Sequence, residues 1–266
     1  MSVPVLELKG VNKRFGAVQA LTDVDFRVEA GEVVALVGDN GAGKSTLIKT
    51  VSGVGLADSG EFRFLGEPVG ISGPHDATAL GIATVYQDLA LADNLDVAGN
   101  LFLGREEYLK GPLGSLMLLD DTVMEQRSVE LIQSLSARIP SVTTPVASLS
   151  GGQRQIVAIA RSLLGEPKLV ILDEPTAALG VAQTRQVLDL IHRLKERGLA
   201  VVVISHNLAN VFEVADRIVV LFLGGNAGDF HRDETTREDI VGAITGGVGL
   251  RPGAGDGGDD TPQASA

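Results

Sequence analysis

The stretch VVALVGDNGAGKST, residues 33–46, decides the fold of this chain. The apolar run Val33–Val37 comes first and is typical of a strand covered on both faces of a parallel sheet. Gly38–Thr46 follows and matches G-x-x-x-x-G-K-[ST], a pattern whose glycines turn backbone N–H groups inward before a helix begins near Lys44. A strand, a phosphate-binding loop and a helix are therefore predicted in succession.

The residue types of this loop suit contact with the phosphates of a nucleotide. We expect Lys44 to bring positive charge to the outer phosphates and to assist catalysis there, and Ser45 to offer its hydroxyl to Mg2+. The alternative is an ordinary glycine-rich turn with Lys44 merely exposed. Every position of the loop is a candidate nucleotide-binding residue: Gly38, Asp39, Asn40, Gly41, Ala42, Gly43, Lys44, Ser45 and Thr46.

Two adjacent carboxylates end another apolar run. In KLVILDEP, residues 168–175, apolar residues precede Asp173 and Glu174, so the acids should emerge at the carboxyl end of a buried strand, where open α/β sheets bind ligands. Asp173 is suited to orient the Mg2+ shell, and Glu174 is the candidate catalytic residue that polarises a water aimed at a γ-phosphate. A solvated strand end without function is the alternative.

The stretch LSGGQRQ, residues 149–155, predicts a helix start able to hold an anion. Ser150 is the expected N-cap, and Gly151 and Gly152 would let a phosphate approach the free N–H groups of the first turn. A helix start needs no ligand, so a purely structural cap is the alternative.

Three single residues are further candidates. Gln87 follows an apolar run at the junction with a helical region, where it would sense Mg2+ or nucleotide. His206 follows another run, at the sheet edge predicted for Asp173, within reach of a γ-phosphate. Phe15 would stack on adenine, although a minor core or surface aromatic fits the composition equally well.

Composition excludes several classes of protein. A chain of 266 residues with 44% hydrophobic residues and a mean hydropathy of +0.22 is globular, and we expect one subdivided domain. The formal net charge of −12 argues against nucleic-acid partners. The lack of cysteine excludes disulfides, thiolate zinc sites and cysteine nucleophiles. Scattered single histidines argue against a histidine metal cluster: His75, His192, His206 and His231.

The sequence shows no pattern typical of membrane insertion. The N-terminus, MSVPVLELKG, lacks the basic lead and apolar run of a signal peptide, and no later stretch reaches the roughly eighteen apolar residues of a membrane span. We therefore expect a soluble chain or one docked on a membrane protein. Residues 247–266 are acidic and rich in glycine with little to bury, which predicts a disordered tail.

Apolar runs predict two sheets. Continuous runs indicate the parallel strands of a core sheet: Val33–Val37, Ile82–Val85, Leu169–Leu172, Ala200–Ile204 and Ile218–Leu223. Short runs around turn residues indicate a small antiparallel sheet flanking the nucleotide site: Val5–Leu8, Val24–Val28 and Glu61–Leu65. The segment 183–198 has helical spacing and ends in Gly198, which predicts a right-handed crossover helix between two core strands.

A helical subdomain is predicted at about 88–159, inserted in the α/β core, because strand patterns disappear there. Thr122 and Glu125 form a capping-box pattern at the start of one of its helices. The apolar residues of that helix recur at helical spacing: Met124, Leu131, Ile132 and Leu135.

Five motifs in order, GDNGAGKST, YQD, LSGGQRQ, KLVILDEPT and ISHN, resemble those of the nucleotide-binding subunits of ATP-binding-cassette (ABC) transporters. The resemblance covers residues 3–245, and LSGGQ is its most diagnostic part. It implies the ABC ATPase fold, which is a RecA-like P-loop NTPase core with a small antiparallel β subdomain and a helical subdomain. It also implies an ATP hydrolase that uses ATP and Mg2+.

The resemblance assigns roles position by position. Phe15 resembles the adenine-stacking aromatic, and Gln87 the glutamine of the coupling loop, which also serves the Mg2+ site. Asp173 resembles the Mg2+-site aspartate, Glu174 the catalytic glutamate, and His206 the switch histidine that contacts the γ-phosphate.

The family also implies a second subunit. In it, LSGGQ closes over ATP held by the phosphate loop of a partner, so Ser150, Gly152 and Gln153 would grip the partner's nucleotide. We expect a homodimer, or a pair with a related chain, on a transmembrane permease at the cytoplasmic face of the membrane. This chain departs from the family at Gly180, where an aspartate usually contacts the opposite subunit. We therefore expect coupling between the ATP sites to be weaker or routed differently, unless a nearby group substitutes for the carboxylate.

The stretch VYQDLALADNLDVAGNLFLGRE, residues 85–106, resembles the ATP-binding subunits of bacterial monosaccharide importers of the ribose, xylose and fructose group. This implies sugar import, with a sugar-binding protein as an indirect partner and no nucleic acid. An exporter's ATPase subunit would carry the same motifs. A non-transport ABC ATPase would show two cassettes or long coiled coils, and a non-hydrolysing regulatory module would not need both Glu174 and His206.

Overall fold

The computed structural model describes residues 3–109 and 117–246, so the predicted tail at 247–266 lies outside the described residues. The described chain forms two sheets surrounded by helices. The strands are β1 (Leu6–Phe15), β2 (Val18–Val28), β3 (Val33–Val37), β4 (Ser59–Phe64), β5 (Glu67–Pro68), β6 (Ile82–Val85), β7 (Leu169–Asp173), β8 (Ala200–Ile204), β9 (Arg217–Phe222) and β10 (Gly225–His231). The helices are α1 (Lys44–Val51), α2 (Pro74–Leu80), α3 (Val97–Phe102), α4 (Asp121–Ser134), α5 (Gly151–Leu163), α6 (Val181–Glu196), α7 (Leu208–Val214) and α8 (Arg237–Ile244).

The central sheet has the strand order β10-β9-β3-β8-β7-β6. Its strands are parallel except β10, which pairs antiparallel with β9 at one edge. The parallel strands confirm the apolar runs that predicted them, and they are buried because helices cover one face and α1 with the second sheet cover the other. β10 has one large apolar residue, Phe230, among polar and small ones, and was missed by the search for apolar runs.

Strand order brings distant parts of the sequence to one edge of the central sheet. β3, β8, β7 and β6 are consecutive neighbours. In their registers Leu36 lies opposite Ile204, Val203 opposite Leu172, and Leu172 opposite Val85. The residues that follow these strands therefore emerge side by side at the carboxyl edge, where ligands bind in open α/β sheets.

The second sheet, β2-β1-β4-β5, is antiparallel, as predicted. Arg217, only 3% exposed, fixes it to the central sheet. Its guanidinium donates to the Arg27 carbonyl on β2 at 2.6 Å, and bonds Glu32 at 2.8 Å and both oxygens of Asp229 at 2.8 and 2.9 Å. These bonds compensate the buried charge of Arg217 and connect β2 to β9. The β1–β2 hairpin, which carries Phe15, is therefore held beside the central sheet.

Helices α3, α4 and α5 lie between β6 and β7. α4 buries Met124 and Ile132, as expected from the pattern. The predicted start of this helix at Thr122 is wrong, because Asp120 Oδ1 accepts the Val123 N–H at 3.1 Å and is the N-cap. Aspartate caps at least as well as threonine, and Asp120 comes first along the chain.

The crossover helix predicted between β7 and β8 is α6. Gly198, just beyond its end, has φ +80°, the left-handed conformation that ends a helix, so the predicted stop is confirmed. With 16 residues α6 is the longest helix in the described part of the chain. No helix within residues 3–109 and 117–246 has the length and apolarity needed to cross a bilayer.

Candidate functional site

The phosphate loop joins β3 to α1 through backbone that only glycine accommodates at two points. Gly38 has φ +152°, and a Cβ there would collide with the Leu221 carbonyl on β9. Gly43 has φ +103°, and a Cβ there would lie 2.8 Å from the Ala20 carbonyl oxygen. α1 begins at Lys44, as predicted, and its N-cap Gly43 has no side chain to bond the first N–H groups. These donors are available to an anion.

Lys44 lies folded against its own loop. Its Nζ donates to the Gly38 carbonyl at 2.7 Å and to the Asp39 carbonyl at 3.0 Å. Burial lowers the pKa of Lys44, whereas the negative charges of Glu174, Asp39 and Asp173 act in the opposite direction. Asp173 at the end of β7 and Glu174 just beyond it thus favour the charged ammonium, and phosphate oxygens can replace the two carbonyls as its acceptors.

Glu174 and His206 are brought together at the ends of β7 and β8. The Glu174 N–H donates to the Ile204 carbonyl at 2.9 Å, which continues the pairing of the two strands. His206 Nδ1 then lies 2.8 Å from Glu174 Oε1. Glu174 has φ +48°, in the left-handed region that non-glycine residues seldom occupy. The carboxylate is mostly buried and the imidazole mostly exposed, so the pair faces the edge of the sheet.

Asp173 has the environment of a cation ligand. Burial first, and then the neighbouring Glu174, raise the pKa of Asp173, while Lys44 and Lys49 lower it. A half-buried carboxylate beside a second acid is stabilised by any additional positive charge. A bound cation would supply that charge.

The oxygen donors at this edge fit Mg2+. They are the Asp173 carboxylate, the exposed hydroxyl of Ser45 and the side-chain oxygen of Gln87. Within the described residues no group of three or more His, Cys, Asp or Glu could by itself hold a metal ion. Mg2+ commonly takes one or two carboxylates and completes its shell with phosphate and water.

Gln87 and Phe15, the remaining candidates for this site, are both exposed. Gln87 is exposed, two residues beyond Val85, the last residue of β6. Phe15 ends β1 and is 55% exposed. Lys13 Nζ lies 5.3 Å from the centroid of the Phe15 ring and 2.8 Å from Asp58, so the ring is supported from within the chain while remaining accessible to a stacking base.

The start of α5 contains the second predicted anion site. Ser150 is the N-cap, as predicted, and forms a capping box: its Oγ accepts the Gln153 N–H at 3.3 Å, and Gln153 Oε1 accepts the Ser150 N–H at 3.0 Å. Gln153 Nε2 also donates to the Arg138 carbonyl at 3.4 Å. The side chains that were predicted to grip a nucleotide are therefore already bonded to each other, with Ser150 exposed.

The two glycines of this motif have a reason within the chain. A Cβ on Gly152 would lie 2.8 Å from the Cβ of Gln183 on α6, and a Cβ on Gly151 would lie 3.1 Å from Leu179 Cδ2. Gly152 is buried by this contact. The close approach that was expected for a phosphate is made here by the beginning of α6, so access of a ligand to Gly152 itself is restricted.

Gly180 precedes α6 as its N-cap residue, and its N–H donates to Gln183 Oε1 at 3.2 Å.

The sequence analysis assigned no role to two further residues that are in contact in the structure. Asn210 Nδ2 on α7 donates to Thr176 Oγ1 at 3.0 Å. Thr176 belongs to the quoted motif KLVILDEPT, but no sequence signal marks Asn210, because its partner is set by how α7 packs.

Comparison with known proteins agrees with this geometry. A family model described as "ABC transporter" matches residues 21–177. The chain is 46% identical to the xylose/arabinose import ATP-binding protein of Sulfolobus acidocaldarius, covering 91% of this chain and 94% of that protein. It is 45% identical to the fructose import ATP-binding protein of Rhizobium meliloti, again covering 91% and 94%.

Solved structures give the same result for the fold. The ADP conformation of an ATP-binding cassette of an ABC transporter superposes with a TM-score of 0.77 at 26% identity, covering 91% of this chain and 95% of that one. The predicted core, β subdomain and ABC ATPase fold are confirmed. From its matched domain, its relatives and its fold, this chain belongs to the ABC transporter family.

Proposed function

We propose that this chain hydrolyses ATP to drive a membrane permease that imports a monosaccharide. The observation that carries the ATPase role is the convergence of Lys44, Asp173, Glu174 and His206 at the ends of adjacent strands. The direction and the sugar class rest on the relatives, which are named as import proteins for pentoses and for fructose.

Nucleotide binding begins at the phosphate loop. The N–H groups at the start of α1 and the ammonium of Lys44 receive the phosphates, and Lys44 exchanges its bonds to the Gly38 and Asp39 carbonyls for bonds to phosphate. Phe15, backed by Lys13, stacks on the base. Bound Mg2+ would be held by Ser45, Asp173 and Gln87, and would neutralise charge on the phosphates.

Hydrolysis is assigned to Glu174. Its carboxylate orients and polarises the attacking water, a role in which position and charge do most of the work. His206 contacts that carboxylate in the structure, so it fixes the orientation of Glu174 and would meet the γ-phosphate from the same edge. Both residues are held by the pairing of β7 with β8, which makes the geometry rigid.

Closure over the nucleotide is assigned to a second cassette, most simply another copy of this chain. Ser150 and Gln153 satisfy each other in the single chain, and the N-terminal end of α5 adds a positive potential that a phosphate of the partner's nucleotide can use. Gly152 supports this role through packing on α6. ATP binding would thus join two cassettes, and hydrolysis would release them.

The permease would dock beside Gln87. The chain that follows Gln87 borders a cavity of about 270 Å3 between β6 and the helical insert at 88–159. Arg161 crosses it and donates to the Leu89 and Ala90 carbonyls, each at 2.9 Å. A cytoplasmic segment of the permease seated there would feel movements of Gln87, so we place the chain peripherally at the cytoplasmic face of the membrane.

Steady-state ATP hydrolysis tests the enzymatic part of this proposal. Glu174→Gln should keep ATP binding and lower turnover by about 10²- to 10⁴-fold, the usual range for a general base. Glu67→Gln, an exposed acid on β5, is the matched control and should retain full turnover. Normal turnover by Glu174→Gln would show that the base is elsewhere.

The transport part is tested by isolating the tagged chain from its native membranes in mild detergent. Mass spectrometry should find a permease and a sugar-binding protein with it. Uptake of labelled xylose, arabinose, fructose and ribose would then identify the sugar. Partners from translation or DNA repair, without a permease, would leave the ATPase role and remove the transport role, and a permease with outward transport would point to an exporter.

A further inference from the structure

Helix α7 and the loop before it supply three side chains that contact the region from the end of β7 to α6. Asn210 and Glu213 are three residues apart on α7, which places them on one side of the helix, and His206 lies two residues before the helix begins. The same side faces the segment that runs from the end of β7 to the start of α6.

Each of these side chains contacts a different point of that segment or of α6. His206 reaches Glu174 at 2.8 Å, Asn210 reaches Thr176 at 3.0 Å, and Glu213 accepts from Arg185 at 2.5 Å. The contacts follow the order of the chain on both sides. α7 and the loop before it are thus bonded at three points to the region that runs from Glu174 to α6.

The segment itself is a tight turn in an unfavourable conformation. Glu174 and Ala178 have φ +48° and +58°, and the Ala177 N–H donates back to the Glu174 carbonyl at 3.0 Å. Left-handed backbone at non-glycine residues persists only where surrounding contacts hold it. Thr176 lies inside this turn, so its side-chain bond to Asn210 is placed to hold the Glu174 backbone.

The three contacts differ in strength. Arg185 and Glu213 are exposed, and exposed ion pairs contribute little. Asn210 and Thr176 are half-buried, so loss of one partner leaves the other short of a hydrogen bond in a place that water reaches poorly. Of the two contacts made by α7 itself, the amide–hydroxyl bond is therefore the stronger hold on the turn.

We infer that Asn210 is a positioning residue for ATP hydrolysis, which holds Glu174 in its reactive orientation through the hydroxyl of Thr176. The inference rests on the proposed ATPase function. It adds a residue without contact to nucleotide, on a different helix from the phosphate loop, and it gives Thr176 a role that depends on its hydroxyl.

The test is ATP hydrolysis by the full chain together with its permease partners. Asn210→Ala and Thr176→Val should each lower kcat by about 10-fold and change KM for ATP by less than about 2-fold, because only the turn is loosened. Thr176→Ser keeps the hydroxyl and should keep kcat. The Asn210→Ala/Thr176→Val double variant should lose no more than either single variant. Asn94→Ala, an exposed asparagine in the helical insert, is the control.

Several outcomes would overturn the inference. They are unchanged kcat in folded Thr176→Val and Asn210→Ala, equal losses in Thr176→Ser and Thr176→Val, and losses that add in the double variant. Thermal unfolding measured in parallel separates a loosened turn from a chain that fails to fold, and a kcat that falls only with the folded fraction also contradicts the role. A wild-type complex without turnover would instead refute the proposed function.

Discussion

The two predicted anion sites of this molecule are completed to different degrees. At the carboxyl edge of the central sheet, Lys44, Glu174 and His206 follow three neighbouring strands, and Glu174 contacts His206 and attracts the Lys44 ammonium. At the start of α5, Ser150 and Gln153 bond each other, and their surroundings are helix packing. The first region brings together opposite charges, whereas the second is a helix end whose polar side chains are bonded to one another. The predictions below test this difference.

The largest effect is expected from Ser150→Arg. The arginine would project from the helix start into the space proposed for the partner's nucleotide, so hydrolysis should fall by about 100-fold or more, as expected when a reaction geometry is displaced. ATP binding to the same chain should be unchanged, since its phosphate loop is intact. Turnover and nucleotide titration, measured on one preparation, check both parts.

Ser59→Arg is the matched control for this change. It introduces the same charge at an exposed position on β4, away from the start of α5, and should leave turnover intact. Full activity of Ser150→Arg would show that the α5 site needs no second cassette, and the contrast between the two regions would disappear.

Lys44→Ala should weaken ATP binding by roughly 10- to 100-fold, because a charge-assisted contact with phosphate is lost. Lys9→Ala removes a similar charge from an exposed position on β1 and should have a much smaller effect. Equilibrium titration with ATP distinguishes them. Equal affinities for the two variants would mean that general charge, rather than the loop geometry, holds the nucleotide.

Gly152→Ala should affect stability more than chemistry at the nucleotide. The new Cβ would meet Gln183 on α6, and such overpacking should lower the free energy of unfolding by about 1–3 kcal/mol in a denaturant titration. Gly242→Ala, in open space on α8, should be neutral or stabilising by up to about 1 kcal/mol. If Gly152→Ala were as stable as wild type, the α5–α6 contact would not explain the glycine.

Local sequence patterns predicted most of the fold. Runs such as Val33–Val37 and Leu169–Leu172 became buried parallel strands because a strand covered on both faces must be apolar throughout. Ser150 was recognised as a cap because its chemistry acts over only three residues. The predicted helix start at Thr122 was wrong because Asp120, two residues earlier, offers an equivalent oxygen to the same helix.

Local sequence patterns could not predict contacts between distant segments of the chain. That β8 lies between β3 and β7, and so brings His206 to Glu174, depends on how the strands assemble. The contact between Asn210 and Thr176 depends on the packing of α7. The resemblance to ABC transporters identified candidate residues at the carboxyl edge of the central sheet, whereas the structure shows which of them are in contact.

The close approach of Gln183 to Gly152 also limits which residues related sequences can have at position 152. Every residue except glycine has a Cβ, so position 152 is restricted to glycine wherever position 183 is not glycine and the two helices approach this closely. That restriction acts during folding, before any nucleotide arrives. A descendant of this chain that had lost ATP hydrolysis would remain under selection to keep this glycine, so its survival in LSGGQ would measure folding, while Ser150 could be exchanged for another residue that caps a helix.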